Sequence, residues 1–399
     1  LPPDFRYRIL SRADDVLDDG NRSPRLPDAM GAFAVGNEIR LVRNHEVKEL
    51  AMPLSPGPWS YDSLAGGGTT TLVVDPITRT TTRRFVSLSG TVGNCAGGPT
   101  PWGTWITCEE TVSGVGPFGK SHGYCFEVPA SANSAVVATP IPSMGRFIHE
   151  AAAVDPQTGI VYLTEDQDRC GLYRWLPNVP FNLAAGGRLQ MLAIENAPTY
   201  DAATGQTVNS YLSVTWVDIA NPDPPNAASN PAAVYEQGRA RGGARFRRLE
   251  GAWFSGDSLY FTSTNGGAAG LGQVWRHIVR RPAPGKFRAA GGTPWQGDLV
   301  LLFESPSNDA LRMGDNLTMS PRGSLIICED ADPLASYLRV LTPEGHIFPF
   351  AQNNALGFGT SSMEFAGVVF SPDGQTMFVN LQSAGMTVAI WGPWHLGPI

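Results

Sequence analysis

The chain has 399 residues, of which 42% are hydrophobic and 16% are charged. This balance excludes a disordered chain and favours a large ordered core. The formal charge of −7 comes from 29 basic and 36 acidic residues, which excludes a basic surface for nucleic acid. No apolar run reaches the roughly 18–20 residues that span a bilayer.

The amino terminus and the composition favour an exported protein. The sequence begins at Leu1 rather than at Met, which is typical of a protein whose export signal has been removed. Low lysine content and abundant Thr, Ser, Asn and Gly are typical of proteins outside the cytoplasm. We therefore expect a secreted or periplasmic protein. As a separate expectation, the protein is a monomer.

One pattern recurs along the chain: a tight turn, then an apolar strand, then an acidic or amide end. In the three clearest copies, at residues 155–159, 320–323 and 371–374, the turn contains Pro followed by Gly, which set the backbone angles of a hairpin entrance. The six copies end in strands at residues 38–46, 103–110, 160–166, 256–265, 324–330 and 375–382.

The spacing of these copies predicts the fold. Their polar ends lie roughly 50–65 residues apart with one gap of roughly 100, and a propeller blade takes about 40–50 residues plus loops. We therefore predict an all-β fold, a six-bladed β-propeller formed by residues 1–399 as one domain. The long gap is attributed to a loop insertion around residues 218–243, rich in Asn, Pro, Ala and Gly.

Acidic side chains mark the predicted axis, because equivalent strand ends of a propeller meet there. Converging carboxylates without cations repel one another, and oxygen-rich sites suit hard cations such as Ca²⁺. The other interpretation is that these acids face solvent at loop ends. The candidate ends are Asn44–Glu46, Glu109–Glu110, Glu165–Asp166, Asn265, Glu329–Asp330 and Asn380, together with Glu150 and Glu250.

The five cysteines are an odd number, so at least one thiol stays unpaired. Cys95 lies in a Gly- and Pro-rich segment, where a thiolate close to carboxylates can bind a transition metal. Its alternative is a buried or disulfide-bonded cysteine. Cys108 and Cys328 fall inside predicted strands and are candidate core residues. Cys125 and Cys170 could pair, which the sequence does not establish.

Arg248 and Glu250 are separated by one residue, so an extended segment places both side chains on one face. A guanidinium beside a metal-bound carboxylate provides what a phosphate oxyanion needs. The alternative is a structural salt bridge with the next blade. His149, just before Glu150, is a candidate core histidine.

Several segments together resemble the PhoX-type alkaline phosphatases. The resemblance implies a propeller that holds two ferric ions and three calcium ions. It implies Cys95, Glu150 and Glu250 as iron ligands and Arg248 as the phosphate-binding residue, and these four form the catalytic group. Glu110, Glu46 and Asp315 are implied calcium ligands. The segments are residues 28–31, 41–46, 94–98, 100–110, 146–150, 248–250 and 315–316.

The sequence thus predicts a metal-dependent phosphatase that hydrolyses small phosphate monoesters. Two alternatives remain open. A calcium-dependent propeller hydrolase of lactones or phosphotriesters would have no use for Cys95 as a ligand. A metal-stabilised propeller without enzymatic activity would keep the calcium ligands and tolerate the loss of Arg248.

Overall fold

The computed structural model describes residues 1–280, 297–330, 336–355 and 364–399, and nearly all of its regular structure is antiparallel β-sheet. The first strand is β1 (Arg6–Arg12). A four-stranded sheet follows, formed by β2 (Pro27–Val35), β3 (Glu38–His45), β4 (Gly67–Val74) and β5 (Thr81–Thr91). The next sheet has three strands, β6 (Asn94–Pro99), β7 (Thr104–Glu109) and β8 (Cys125–Pro129).

A nine-stranded sheet occupies the middle of the chain. Its first part contains β9 (His149–Val154), β10 (Val161–Glu165), β11 (Tyr173–Pro177), β12 (Gly187–Ile194) and β13 (Tyr211–Asp218). Its second part contains β14 (Leu249–Ser255), β15 (Ser258–Ser263), β16 (Gln273–Val279) and β17 (Gly297–Glu304). The two parts join where β13 pairs with β17, so this sheet is two blades linked at their outer edges.

Two further sheets complete the fold. One consists of β18 (Gly314–Met319), β19 (Leu325–Glu329), β20 (Tyr337–Leu341) and β21 (Ile347–Gln352). The other consists of β22 (Phe365–Phe370), β23 (Met377–Leu381) and β24 (Met386–Trp391), and β1 adds its fourth strand by pairing Arg6 with Trp391. Short 3-10 helices lie at Pro142–Met144, Leu183–Ala185 and Trp394–Leu396.

The six innermost strands form a closed ring. In chain order β2, β6, β9, β14, β18 and β22 each contact the next, and β22 contacts β2. This ring confirms the predicted six-bladed propeller, although the β13–β17 pairing merges two blades into one hydrogen-bonded sheet. Apolar side chains fill the space between blades, including the fully buried Trp105, Trp175 and Trp275.

The predicted hairpin turns adopt the expected backbone. Gly159, Gly323 and Gly374 have φ angles of 72°, 88° and 69°, which glycine adopts without steric cost. Each turn precedes the second strand of its blade, namely β10, β19 and β23. The recurring pattern therefore marks second strands, one position outward from the axis.

The segment around residues 218–243, expected as a loop, contains the helix α1 (Ala233–Ala240). Val234 and Tyr235 are buried on one side of α1 and pack in the core between blades. The Gln237 side chain bonds the backbone of Asn221 through both its oxygen and its nitrogen, which ties the start of the segment to the helix. No helix among the described residues is long and apolar enough to cross a membrane.

Candidate metal centre

A β-bulge recurs at the same place in all six blades, where the innermost strand leaves register with the second strand. Two residues of the innermost strand face one residue of its partner, and such bulges re-aim side chains. In five blades the first bulge residue carries an acid or a thiol. These five residues are Asp28, Cys95, Glu150, Glu250 and Asp315.

The sixth bulge carries Gly367, with a φ angle of 62°. A Cβ atom added there would lie 2.4 Å from the Asp28 carbonyl oxygen, so no side chain fits between β22 and β2. Gly251, next to Glu250, is similarly confined by the backbone of Asp315 and Asn316. The innermost strands therefore approach closely, which brings the five bulge side chains together.

Side chains of second strands fix the bulges of the following blade. Asn44 donates hydrogen bonds to the carbonyl oxygens of Cys95 and Ala96 at 3.1 and 2.7 Å. Thr164 donates to the Glu250 carbonyl at 2.6 Å, and Thr262 donates to the Asp315 carbonyl at 2.8 Å. Asn380 donates to the Asp28 carbonyl in the same way. Each candidate side chain is thus held by a backbone that its neighbouring blade positions.

Cys95 lies between two carboxylates. Its Sγ atom is 3.3 Å from Oδ2 of Asp28 and 3.3 Å from Oε1 of Glu150. Burial raises the pKa of the Cys95 thiol, and the charges of Asp28 and Glu150 raise it further. Without a cation this surrounding holds the thiol protonated, whereas a bound metal ion would favour the thiolate.

Glu150, Glu250 and Asp315 form a buried acidic group whose oxygen atoms lie within 4.8 Å of one another. Burial raises the pKa of all three carboxyls, and repulsion within the cluster adds to the shift. Asn316 donates a hydrogen bond to Oδ1 of Asp315 at 3.0 Å, which fixes that carboxylate.

Glu46 and Glu110 extend the cluster toward the surface. Lys48 places its ammonium 2.7 Å from Oε1 of Glu46 and 2.5 Å from Oε2 of Glu110. Gln382 donates hydrogen bonds to Glu46 and to Asp28, at 2.8 and 2.9 Å. Burial raises the pKa of Glu110 to about 8, with repulsion from Glu46 adding to it.

Arg248 lies beside the cluster in a strained conformation, with a φ angle of 39°. Its Nε lies 2.9 Å from Oδ1 of Asp166, and its Nη2 lies 2.7 Å from Oε1 of Glu250. Burial alone lowers the pKa of Arg248, but Glu250 and Asp166 outweigh that effect and raise it. The side chain is therefore a fixed cation at the edge of the acidic group.

Three acids of the recurring strand ends do not join the centre. Glu109 accepts hydrogen bonds from the backbone of residues 92, 123 and 124, and Glu165 accepts them from Gly171 and Tyr173. Glu329 binds Arg339 and two backbone amides. The expectation that all these ends meet at the axis was wrong for these three, because the carboxylate of each accepts hydrogen bonds from backbone amides of its own blade and joins none of the groups of described residues that could hold a metal.

Other residues that the sequence singled out are held by packing or by hydrogen bonds outside the centre. His149 is fully buried, stacks on Phe147 and lies 2.9 Å through Nε2 from the Gly145 carbonyl. All five cysteines are buried and unbonded, and Cys125 lies beside Cys108 with the sulfur atoms 3.6 Å apart, not beside Cys170. Asn265 contacts Asp168 on the surface side.

Sequence reasoning missed Asp28, Lys48 and Gln382 as members of the centre. Asp28 shares with Cys95, Glu150 and Glu250 a small residue immediately after it, Ala or Gly. That signal, a polar residue followed by a small one at the start of a strand, identifies four of the five bulge residues. Lys48 and Gln382 carry no comparable signal.

The donor set fits metal ions. Asp28 Oδ1 and Glu150 Oε2 are buried and receive no hydrogen bond from the described residues, which is costly for anionic oxygens unless a cation binds them. A thiol with carboxylates suits a transition metal, and carboxylates alone suit calcium. Beside the centre, a cavity of about 30 Å³ lined by Ala29, Ala96 and Ala151 leaves room for roughly one water along the axis.

The chain matches one protein-family model and several solved structures. The family model "Alkaline phosphatase PhoX" matches residues 65–385. The structure of Pseudomonas fluorescens PhoX in complex with vanadate, a transition state analogue, matches with 17% identity and a TM-score of 0.72, covering 98% of this chain and 95% of that chain. No match is found among curated proteins.

Two more distant structures also match. One is a putative gluconolactonase, with 10% identity, a TM-score of 0.46, and coverage of 98% of this chain and 94% of that chain. The other is a gluconolactonase from Xanthomonas campestris, with 13% identity, a TM-score of 0.38, and coverage of 97% and 98%. These TM-scores are too low for any inference about this chain.

The closed propeller and the family match together define the protein as a phosphoric ester hydrolase whose catalysis depends on metal. The match over residues 65–385 covers most of the sequence, and it confirms the resemblance predicted from the motifs. The chain belongs to the alkaline phosphatase PhoX family.

Proposed function

We propose that the protein hydrolyses monoesters of phosphate carried by small molecules, at a cluster of iron and calcium ions on the propeller axis. The observation that supports this most directly is the convergence of Cys95 with buried carboxylates in overlapping groups, each with ligand atoms within 4.8 Å of one another. The vanadate complex of Pseudomonas fluorescens PhoX also supports it, since vanadate is there a transition state analogue.

The proposed division of ligands follows donor chemistry. Cys95, Glu150 and Glu250 would hold two ferric ions, because thiolate and carboxylate together suit a transition metal. Glu110, Glu46 and Asp315 would contribute to about three calcium sites, because calcium takes carboxylate oxygens. We add Asp28 to this set, since one of its oxygens is buried without a partner. Bound ions of this kind act as Lewis acids and neutralise the charge of a phosphoryl group.

Arg248 would bind and orient the phosphate group. Asp166 and Glu250 hold its Nε and Nη2 atoms, while no described residue accepts a hydrogen bond from Nη1. The backbone amide of Arg248 donates to Gln167 and its carbonyl accepts from Thr264, each at 2.8 Å, which keeps the strained conformation in place. The guanidinium therefore has one nitrogen ready for an equatorial phosphate oxygen, whose charge it would stabilise during transfer.

The small axial cavity favours substrates that present phosphate at an end. A space for roughly one water admits no ester group, so the alcohol part of the substrate would lie outside this cavity, where the Lys48 and Arg248 side chains are partly exposed. The alternative of a calcium-dependent lactonase or phosphotriesterase gives Cys95 no role, and no observation at this centre favours it.

The test is metal analysis combined with a substrate comparison on protein purified without chelator. We expect iron and calcium in the protein, hydrolysis of p-nitrophenyl phosphate, inhibition by vanadate, and loss of activity after chelation. Bis(p-nitrophenyl) phosphate, paraoxon and gluconolactone should react at least about 100-fold more slowly. Metal-free protein with full activity, or turnover of lactone or triester alone, would contradict the proposal.

We also propose that the protein acts outside the cytoplasm as a monomer. The family match supports the location, and the low lysine content, three of 29 basic residues, agrees with it. Cell fractionation of the native source and light scattering of the purified protein test the two statements separately.

A further inference from the structure

Lys48 is an ammonium group inside a cluster of candidate metal ligands. It is one of three lysines in the chain, the others being Lys120 and Lys286. Its Nζ atom lies 2.7 Å from Oε1 of Glu46 and 2.5 Å from Oε2 of Glu110. Calcium binds carboxylate oxygens at about 2.3–2.6 Å, so an ammonium and a calcium ion would compete for the same two oxygens.

The chain around Lys48 holds the ammonium in this position. The Lys48 stem lies across Gly93, where an added Cβ atom would be 3.1 Å from Lys48 Cγ and 3.3 Å from Cε. The Gly93 amide donates a hydrogen bond to the Val47 carbonyl, and the Gly93 carbonyl accepts one from the Glu110 amide, both at 2.8 Å. The backbone segments that carry Glu46, Lys48 and Glu110 are therefore tied together at Gly93.

The burial of the three groups is unequal. The Glu46 and Glu110 side chains are 18% and 13% exposed, whereas Lys48 is 47% exposed. The two carboxylates are thus fixed in the wall of the centre, and the lysine reaches them from the solvent side. Removing its charge would leave two nearly buried anions with an open path for an ion from solution.

Among the described residues, no lysine ammonium contacts the other half of the centre. Around Glu150, Glu250 and Asp315 the cation in contact is Arg248, which binds Glu250 on one side. Asp28 Oδ1 and Glu150 Oε2 remain without described hydrogen-bond donors. The carboxylates near Cys95 therefore still need metal ions to balance their charge. Lys48 already neutralises part of the negative charge of Glu46 and Glu110.

We propose that Lys48 is a built-in cation that occupies the position of one divalent ion between Glu46 and Glu110. This inference depends on the metal centre proposed above. Lys48 contacts one oxygen of each carboxylate, so the centre holds one calcium ion fewer than the three that the family resemblance implies, and this part of the centre does not depend on dissolved calcium. The second oxygens of Glu46 and Glu110 can still contribute to the other calcium sites.

The experiment compares the metal content of wild type with that of Lys48→Met, which keeps the length of the side chain and removes its charge. Both proteins are equilibrated with calcium, freed of unbound metal by gel filtration and measured by plasma mass spectrometry. We expect one additional calcium ion per chain in Lys48→Met, and a larger rise of its melting temperature on calcium addition. Lys48→Arg, which keeps the charge, should match wild type.

The outcomes separate the two proposals. A wild type that binds neither iron nor calcium overturns the metal centre itself. A metal-containing wild type with the same or lower calcium content in Lys48→Met overturns the inference about Lys48. Unchanged calcium with a raised KM for p-nitrophenyl phosphate would make Lys48 a substrate-binding residue instead. If Lys48→Met does not fold, Lys48→Gln replaces it, because its amide still donates a hydrogen bond to one carboxylate.

Discussion

The sulfur of Cys95 lies 3.3 Å from Oε1 of Glu150, across the gap between the innermost strands β6 and β9. If both residues bind iron, the purified protein absorbs visible light through sulfur-to-iron charge transfer. Cys95→Ser should bleach this colour, remove iron and reduce phosphatase activity at least roughly 100-fold while the propeller stays folded.

Cys108→Ser is the matched control for this prediction. Cys108 is fully buried on β7 with its sulfur against Cys125. Its replacement should cost about 1 kcal/mol of folding free energy and leave the colour intact. A colourless, iron-free wild type with full activity would contradict the role of Cys95.

Arg248→Ala should reduce kcat/KM for p-nitrophenyl phosphate by roughly 100-fold, because the nitrogen proposed to bind the phosphoryl group is removed. Arg248→Lys should recover only part of the activity, since an ammonium cannot bind Asp166, Glu250 and phosphate in the same plane. Steady-state kinetics of metal-loaded protein provide the measurement.

Arg247→Ala tests whether the loss is specific. Arg247 is adjacent in sequence but pairs with the exposed Asp168 at 3.4 Å. Surface pairs of this kind contribute at most about 1 kcal/mol, so activity should stay within about twofold of wild type. Equal losses in the two variants would show that Arg248 acts through folding and not through phosphate.

Thr262→Val removes the hydroxyl that donates to the Asp315 carbonyl at 2.8 Å, with almost no change of shape. We expect the free energy of unfolding to fall by about 1–3 kcal/mol and calcium to bind about tenfold more weakly, because the hydrogen bond that holds the Asp315 bulge is lost. Calorimetric calcium titration and urea unfolding measure the two effects.

Thr318→Val is the control for Thr262→Val. Thr318 is equally buried, but its hydroxyl has no hydrogen-bond partner among the described residues. Its replacement should be neutral or stabilising. Similar calcium affinity in both variants would argue against positioning by Thr262.

His122 lies between two carboxylates, with Nδ1 2.6 Å from Glu109 and Nε2 3.3 Å from Asp62. Burial lowers the pKa of His122, but the two carboxylates outweigh it and raise the pKa above 6.5. Because the folded-state pKa exceeds the unfolded one, the stabilisation is complete below about pH 6.5 and is lost as pH rises through the folded-state pKa.

We therefore expect His122→Gln to lower the free energy of unfolding by roughly 3 kcal/mol at pH 6 and by less at pH 9. Urea unfolding at both pH values is the measurement, with the exposed His346→Gln as control. A difference from wild type that grows with pH would show that His122 is neutral in the folded protein.

The sequence predicted the blades but not which strand of each blade lines the axis. Second strands such as β10 and β19 have long apolar runs after Pro- and Gly-containing turns, so their signal is strong. Innermost strands such as β6 and β9 are short and rich in Gly and Ala, which have low strand propensity. They carry small residues because neighbouring strands approach closely at the ring.

Neighbouring acids could not be separated by sequence alone. Glu109 and Glu110 are adjacent, and successive side chains of a strand point to opposite sides. One therefore binds loop backbone while the other faces the centre, and only the structure identifies which. The roles given to Cys95, Glu150, Glu250, Asp315 and the other site residues stay predictions, although the fold brings them together.

The pairing of β1 with β24 has a consequence for how the molecule is made. Arg6 is synthesised almost a full chain length before its partner Trp391. Until then β1 is an unpaired strand edge. The ring closes only after the last blade has been synthesised, and contacts of such long sequence separation form slowly. Closure of the ring by β1 and β24 is therefore a late step of folding, and the six bulges surround one axis only once the ring is closed.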